Sequence, residues 1–398
     1  MKFCTSPLES HPMQHEKTVS IKKLPEYEYP LVKHALDAMI GRMSGGWQAI
    51  VPAGSRVLIK PNLLKAAPAE GAVSPHHTVV RAVVEACVAA GAANIIIGDS
   101  PGYGTAPRVA QACGIMQVAR DFGIQVVDFR ESVTIQTPEG FIHKKFEVAR
   151  EAAEADVIIN IPKFKTHAMM VLTLAVKNLY GVIVGRQKAR WHFQSGRNFR
   201  HFARFLLELA YVLKPSVSIL DAVVGMEGNG PGRGTPRRLG YLAASKDMVC
   251  LDAVAAHLAG FSPQQVYTLA EAKRMGFATG IKDITCLGDP VEGLRISDLV
   301  PARPMPVEGP AFLRPLSWLL NRFVTTKPRV DAALCCGCGV CVEACPAQCM
   351  RIPARGPVAI DTKSCIRCFC CQELCPEGAV HAHDAFGVHV LRRLGLEG

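Results

Sequence analysis

No stretch of this 398-residue sequence approaches eighteen consecutive apolar residues, which argues against a transmembrane helix. Residues 1–17 lack the apolar run of a secretory signal and carry Glu9 and Glu16, so a frayed, retained segment is expected there. No Gly-Lys-Ser/Thr ending closes a Walker loop, and no Gly-x-Gly-x-x-Gly stands at a strand–helix turn, which leaves a nucleotide unsupported. Acidic residues are in deficit, 34 against 45 Lys and Arg, for a formal net charge of +11. The deficit is local. Residues 331–398 carry 6 Lys/Arg against 7 Asp/Glu, so the whole basic excess belongs to residues 1–330. A basic body points to a small anionic substrate, an acidic redox partner protein or a polyanion.

Cysteine, by contrast, is abundant, with 16 residues. Two runs share one spacing: Cys335-x2-Cys338-x2-Cys341-x3-Cys345-Pro346 and, thirty positions later, Cys365-x2-Cys368-x2-Cys371-x3-Cys375-Pro376. Structural zinc takes two Cys pairs separated by a longer insert, and disulfides belong to oxidising compartments, so neither fits this repeat well. The doubled spacing is that of a chain wrapping two [4Fe–4S] clusters, each completed by the remote cysteine of the other run. One set is then Cys335, Cys338, Cys341 and Cys375; the other is Cys365, Cys368, Cys371 and Cys345. Cys336, Cys349 and Cys370 read as packing cysteines, and Cys4, Cys87, Cys113, Cys250 and Cys286 as buried small hydrophobes in a reducing cytoplasm. On these motifs, residues from about 330 to 385 resemble a bacterial two-cluster ferredoxin, which implies short β structure after each half and electron transfer as the activity.

The chain divides by composition into a disordered segment 1–17, a body 18–299, a linker 300–328 and a ferredoxin-like domain 329–398. Four prolines in eleven residues stiffen the linker. Residues 312–324 then place Phe312, Leu316, Leu319, Leu320 and Phe323 at helical spacing, as in a short amphipathic helix docked on a domain face.

The body reads as α/β, a mainly parallel sheet covered by helices. Short β-rich runs at 57–59, 94–97, 124–127, 156–161 and 217–220 alternate with helical patterns at 75–90, 105–122 and 199–213. A further strand at 239–244 and helices at 248–258 and 263–275 follow. Polar residues end one strand after another: Lys60 and Asn62; Asp99 and Ser100; Lys163, Lys165 and His167; Asp221, with Glu227 just beyond. In parallel sheets, ligands bind outside the carboxyl ends of the strands, so these turns are expected to converge. Lys60, Lys163 and Lys165 suit a carboxylate or phosphate, and His167 suits proton transfer. Asp99, Asp221 and Glu227 suit a metal ion or the orientation of a base. Lys163, Lys165 and His167 form the expected catalytic set. Arg and aromatic residues interleave from Gly185 to Phe205, but Phe199, Phe202 and Phe205 recur at a core-helix spacing, which disfavours nucleic acid.

Six stretches of the body, Leu58-Ile-Lys-Pro-Asn62, Gly98-Asp-Ser-Pro-Gly102, Asn160-Ile-Pro-Lys-Phe-Lys-Thr-His167, Leu174-Ala-Val-Lys-Asn-Leu-Tyr-Gly181, Gly225-Met-Glu-Gly-Asn-Gly-Pro231 and Leu251-Asp-Ala-Val-Ala255, resemble the family catalogued as domain of unknown function three-six-two. The resemblance spans about residues 50–300 and adds Lys177 and Asn178 to the substrate-binding set. It implies no settled reaction. The functional expectation is a ferredoxin module relaying electrons to or from a body that binds an anionic substrate or cofactor. The alternatives are an electron-transfer or assembly subunit of a redox complex, and an iron–sulfur sensor or scaffold.

Overall fold

The computed structural model describes residues 17–185, 187–195, 198–302 and 326–385. The expected disordered segment (Lys17 apart), nearly all of the linker with its 312–324 helix, and Cys4 lie outside the described residues.

A ten-stranded, mostly parallel sheet organises the body. Its strands are β1 (Thr18–Lys23), β2 (Arg56–Pro61), β3 (Asn94–Asp99), β4 (Gln125–Asp128), a separate hairpin of β5 (Ser132–Gln136) and β6 (Lys145–Ala149), then β7 (Val157–Ile161), β8 (Lys163–His167), β9 (Val171–Thr173), β10 (Val217–Glu227), β11 (Thr235–Ser245) and β12 (Thr285–Gly288). The order is β12-β1-β11-β10-β7-β2-β3-β4, with β8 bridging β10 and β9. Parallel pairing joins β2 to β3 and β7, β3 to β4, β10 to β7 and β8, and β1 to β12. β11 runs antiparallel to β1 and β10, and β9 to β8.

Alternate residues of the central strands face opposite cores, as the two-residue period of a strand requires. Val57, Ile59, Val157 and Ile159 pack with α1 (Tyr29–Ser44), α2 (His77–Ala89), α3 (Ala106–Ala112) and α4 (Ile115–Asp121). Leu58 and Ile158 face the other core, with α8 (Phe199–Leu213) and α9 (Met248–Leu258), which follow α5 (Arg150–Glu154), α6 (Ala175–Asn178) and α7 (Gln187–Ser195) in the chain. The helical pattern at 105–122 is two helices, because Gly114 adopts φ 83° and starts a second turn of chain. The helix at 263–275 is confined to Tyr267–Arg274. Phe199, Phe202 and Phe205 are buried, as a core helix requires, and Trp191 packs on Phe205 with ring centroids 4.1 Å apart.

Glu208 on α8 fixes the β5–β6 turn. It is fully buried and accepts from the Ile142 and His143 backbone N–H groups (3.0 Å each), His143 Nδ1 (2.7 Å) and Arg204 Nε (2.6 Å). Burial would raise its pKa, but the His143, Ile142 and Arg204 donors win and hold it at about 2, below its ordinary 4.5. The stability this adds is present above about pH 4.5 and is lost as the pH falls toward 2. Glu208→Gln should therefore cost about 2–3 kcal/mol at pH 7. In urea unfolding the gap to the parent chain should narrow at pH 3.

The C-terminal residues form a small unit of two ladders. Lys327–Val330 pairs antiparallel with Val380–His383, and Met350–Arg351 with Ala359–Ile360. Short helices, Val340–Glu343 and Cys370–Leu374, sit at equivalent places in its two halves. The thirty-residue repeat is also a repeat of backbone. Gly337 and Arg367, Gly339 and Phe369, and Gln348 and Gly378 all take positive φ, from 49° to 78°. This unit docks on the body. Phe369 is buried in the body core, and Arg233 Nε donates to the Cys375 carbonyl at 3.1 Å while its guanidinium also reaches the Pro376 carbonyl.

Candidate functional site

β7 and β8 are one strand interrupted by Pro162, whose carbonyl accepts from the Asp221 N–H at 3.0 Å. The interruption carries β8 away from β7 and along β10. On β8 the two-residue period puts Lys163, Lys165 and His167 on the same face. All three are buried, each 1% exposed.

Most of the expected turn residues meet beside them. Lys60 Nζ lies 2.9 Å from Asp99 Oδ1, a buried ion pair. Asp99 also accepts from the Leu63 and Ser100 N–H groups at 2.8 and 2.9 Å. Asn178 links the ends of two strands: its Nδ2 donates to Asn160 Oδ1 (2.8 Å) and the Lys60 carbonyl (3.2 Å), and its Oδ1 accepts from Asn62 Nδ2 (2.8 Å). Lys165 Nζ donates to Asn62 Oδ1 (2.5 Å) and the Val73 carbonyl (2.7 Å). Lys188 donates to the Ser100 carbonyl. Gly181 lies against the ion pair, where an added methyl would fall on the Asp99 carboxylate and the Lys60 ammonium. Gly181→Ala should cost about 2–3 kcal/mol in thermal unfolding, because the pair has to move.

Lys163 and Asp221 form a second, self-satisfied group. Lys163 Nζ donates to Asp221 Oδ2 (2.8 Å) and the Tyr27 hydroxyl oxygen (2.9 Å), and that hydroxyl donates to Asp221 Oδ1 (2.7 Å). The His76 N–H donates to Asp221 at 2.8 Å, and the His76 ring stacks on Tyr27 with centroids 3.9 Å apart. Glu227 is not drawn into either group. It accepts from the Val300 N–H (3.0 Å) and lies 3.8 Å from Arg237, pointing to the 298–300 segment.

Electrostatics divide the lysines. Lys60 and Lys163 have carboxylate partners. Among the described residues, Lys165 and Lys177 have none within 4 Å. Burial, then the neighbouring Lys177 and Lys163, pushes the Lys165 pKa well below the usual lysine range. Burial also lowers Lys177, against the pull of Glu373. Lys188 falls to about 8, chiefly through burial. A cluster of amines with too few carboxylates is a place where an anion would be stabilised.

His167 accepts from the Met169 and Met170 N–H groups at Nδ1 (3.1 and 3.3 Å). Burial and the nearby Lys177 depress its pKa well below 6.5, so the ring is neutral and its proton sits on Nε2. His167 therefore enters the site as a donor. Its Nε2 lies 3.3 Å from Glu373 Oε1 but has no well-aligned hydrogen-bond acceptor.

Sequence reasoning missed Tyr27, His76, Lys188, Glu373 and Asp252. Asp252 accepts from the Ala175 and Val176 N–H groups (2.7 and 3.1 Å) and so holds the short helix α6 (Ala175–Asn178), which carries Lys177 and Asn178. Its place in the Leu251–Ala255 stretch was the available signal. Glu373 was hidden inside a cysteine motif, where it reads as a spacer.

The cysteines of the C-terminal unit line two cavities. Cys335, Cys336, Cys338, Cys341 and Cys375 surround one, with about 310 Å³ of empty space counting its open mouth. Cys345, Cys349, Cys365, Cys368 and Cys371 surround the other, with about 300 Å³. The first reaches the surface, where Cys336 and Cys338 are exposed. The second has its buried Cys368 and Cys371 on the segment that carries Phe369 into the body. Among the described residues, no three His, Cys, Asp or Glu side chains close on a point as a single-ion site would require. Cys87, Cys113 and Cys250 are buried in the body, as expected, and burial lifts the Cys87 thiol to about 12, whereas Cys286, on the edge strand β12, is only half-buried and Cys336 is exposed rather than packed.

The chain belongs to the family described as a domain of unknown function (DUF362), which matches residues 57–257. It is 35% identical over 269 residues to a thylakoid-associated protein of Synechocystis sp., spanning 68% of this chain and 83% of that one. Two solved structures are similar at low levels. A Thermotoga maritima protein matches at 12% identity and TM-score 0.36, over 54% of this chain and 55% of its own. The lactate racemase apoprotein of Thermoanaerobacterium thermosaccharolyticum matches at 14% identity and TM-score 0.35, over 60% of this chain and 57% of its own. Among the described residues, no helix is long and apolar enough to cross a membrane.

Proposed function

We propose that residues 329–398 are a ferredoxin-type domain holding two [4Fe–4S] clusters, and that it exchanges electrons with a small anion bound among Lys60, Lys165, Lys177 and His167 of the body, which spans 18–299. The observation that carries this reading is the sorting of the thiols. Each cavity is lined by three cysteines of one run and the remote cysteine of the other: Cys335, Cys338 and Cys341 with Cys375, and Cys365, Cys368 and Cys371 with Cys345. All-thiol donor sets spread around a void suit a multi-iron cluster better than one zinc ion, whose bonds of about 2.3 Å draw four ligands onto a point. Bound there, the clusters would supply single-electron transfer.

The chain's own residues give the relay a direction. The exposed rim at Cys336 and Cys338 faces an external redox partner. The other thiol set adjoins Lys177 and Tyr180, which feel the Cys370 and Cys368 thiols electrostatically. Lys60, Asn62, Asp99, Ser100 and Asn178 form a rigid floor. Lys165 and Lys177 attract the anion, and His167 donates to it from Nε2. Lys163 and Asp221 brace β8 against β10.

In anaerobic mixing, dithionite-reduced and desalted protein should be reoxidised by at least one member of a panel of reducible anions (2-oxo acids, 2-enoates and phosphate esters of carbonyl compounds), two electrons and two protons reducing each acceptor, and Lys165→Met should slow this at least tenfold. Failure of every anion, with normal electron delivery to a protein acceptor, would favour an electron-transfer subunit in which the body merely recognises a partner.

A further inference from the structure

Glu373 is placed oddly for a residue of an iron–sulfur motif. It stands on the short helix Cys370–Leu374, between Cys371 and Cys375, yet its carboxylate points into the body. Its side chain is 14% exposed. Oε1 lies 3.3 Å from His167 Nε2, and the charges that act on the carboxylate are those of Lys177 and Lys165, neither of which has a carboxylate within 4 Å among the described residues. The fit is incomplete. His167 is 1% exposed, its Nε2–H finds no aligned acceptor, and its orientation is locked by two backbone N–H groups on the opposite ring nitrogen. A buried carboxylate with so few hydrogen bonds is costly to keep and easily exchanged.

We propose that the Glu373 carboxylate is an internal occupant of a carboxylate-binding position formed by Lys165, Lys177 and His167, and that an external small carboxylate binds by displacing it. This rests on the anion-site reading above and narrows it to carboxylates. The planar group already held there needs one directed N–H donor and two flanking ammonium groups, and the chain provides that set. The occupant also ties the site to the module. Gly232 packs so near the Glu373 carbonyl that an added methyl would lie 3.0 Å from it, and Arg233 grips the next carbonyls at Cys375 and Pro376. Withdrawing Glu373 therefore removes one of the contacts that seat the cysteine-bearing helix on the body. Carboxylate binding and the seating of the module are then linked, and each biases the other by the same factor.

A competitor fixed in the same chain lowers apparent affinity by the fraction of time the site is open. The test is isothermal titration of the full, cluster-loaded chain with oxalate, and separately with inorganic phosphate, for the parent, Glu373→Gln, Glu373→Ala and Glu373→Ala/Lys165→Met. Iron content and melting temperature check that each variant is intact, and the near-isosteric Gln variant guards against a packing defect in the Ala one. Oxalate should bind about tenfold or more tighter to both single variants than to the parent, with the gain lost in the double variant and a smaller gain for phosphate. Equal oxalate affinity in the parent and both single variants, still dependent on Lys165, would overturn the internal occupant while leaving the anion site standing. An equal gain for phosphate would overturn the carboxylate assignment. No binding of either anion by any variant would overturn both the occupant and the anion site.

Discussion

Cys375→Ala should remove the same cluster as Cys338→Ala, and Cys345→Ala the other one. Nearest neighbours in sequence predict the opposite grouping, Cys338 with Cys345 and Cys368 with Cys375. The structure puts Cys375 in the cavity of Cys335, Cys338 and Cys341, and Cys345 in that of Cys365, Cys368 and Cys371. Each single substitution should lower bound iron from about eight to about four per chain. Electron paramagnetic resonance of the reduced protein separates the cases. Cys338→Ala and Cys375→Ala should leave one common spectrum, and Cys345→Ala and Cys368→Ala a second. The thiol beside each ligand complicates the outcome in a way the same spectra reveal. Cys349 Sγ stands 3.4 Å from Cys345 Sγ, so a Cys345→Ala chain that keeps its full iron would show Cys349 substituting. Spectra grouped by sequence run instead would contradict the crossover.

Two lysines two residues apart on β8 should respond oppositely to the same change. Lys163→Met should destabilise the fold by about 3–5 kcal/mol, because the buried Asp221 carboxylate loses its cationic partner and keeps only Tyr27 and the His76 and Val223 N–H groups. Lys165→Met should alter stability by no more than about 1 kcal/mol, because the change relieves a buried amine while orphaning two neutral acceptors. It should weaken oxalate binding about tenfold to a hundredfold, the loss of a charge-assisted contact. To keep oxalate from competing with Glu373, both are best compared in a Glu373→Gln background. Denaturant unfolding and titration read the two effects separately. A stable Lys163→Met chain, or an unfolded Lys165→Met chain, would reverse the assigned roles.

The α/β character and most of the site were legible because they depend on short-range chemistry. Parallel strands buried on both faces need near-continuous apolar runs, and 57–59, 94–97 and 156–161 are mostly apolar. Strand ends in such a sheet must turn, and Lys60, Asn62, Asp99 and Ser100 stand where they do. What escaped was set by partners remote in sequence. β1 pairs with β11 and β12, and the edge strand β12 pairs with β1, all across long separations in the chain. Tyr27 matters because it meets Asp221, far along the chain. Glu227 shares the Gly225–Pro231 stretch but faces Arg237 and Val300, because the strand β10 runs on to Glu227 and carries it past the site. His167 carried the right residue type for proton transfer, but two backbone N–H groups fix its tautomer, and no motif encodes that. Glu373 illustrates the limit most directly: only the docking of the C-terminal unit on the body turns a spacer into a group facing Lys165, Lys177 and His167.

Whether two rings of cysteine hold paired iron–sulfur clusters is decided by iron and acid-labile sulfide analysis of anaerobically purified protein, with spectra before and after dithionite. The expected result is brown protein with about eight iron and about eight sulfide per chain, and a reduced spectrum broadened by two neighbouring paramagnets. Folded protein that is colourless and iron-free, or that carries zinc on the same thiols, would contradict it.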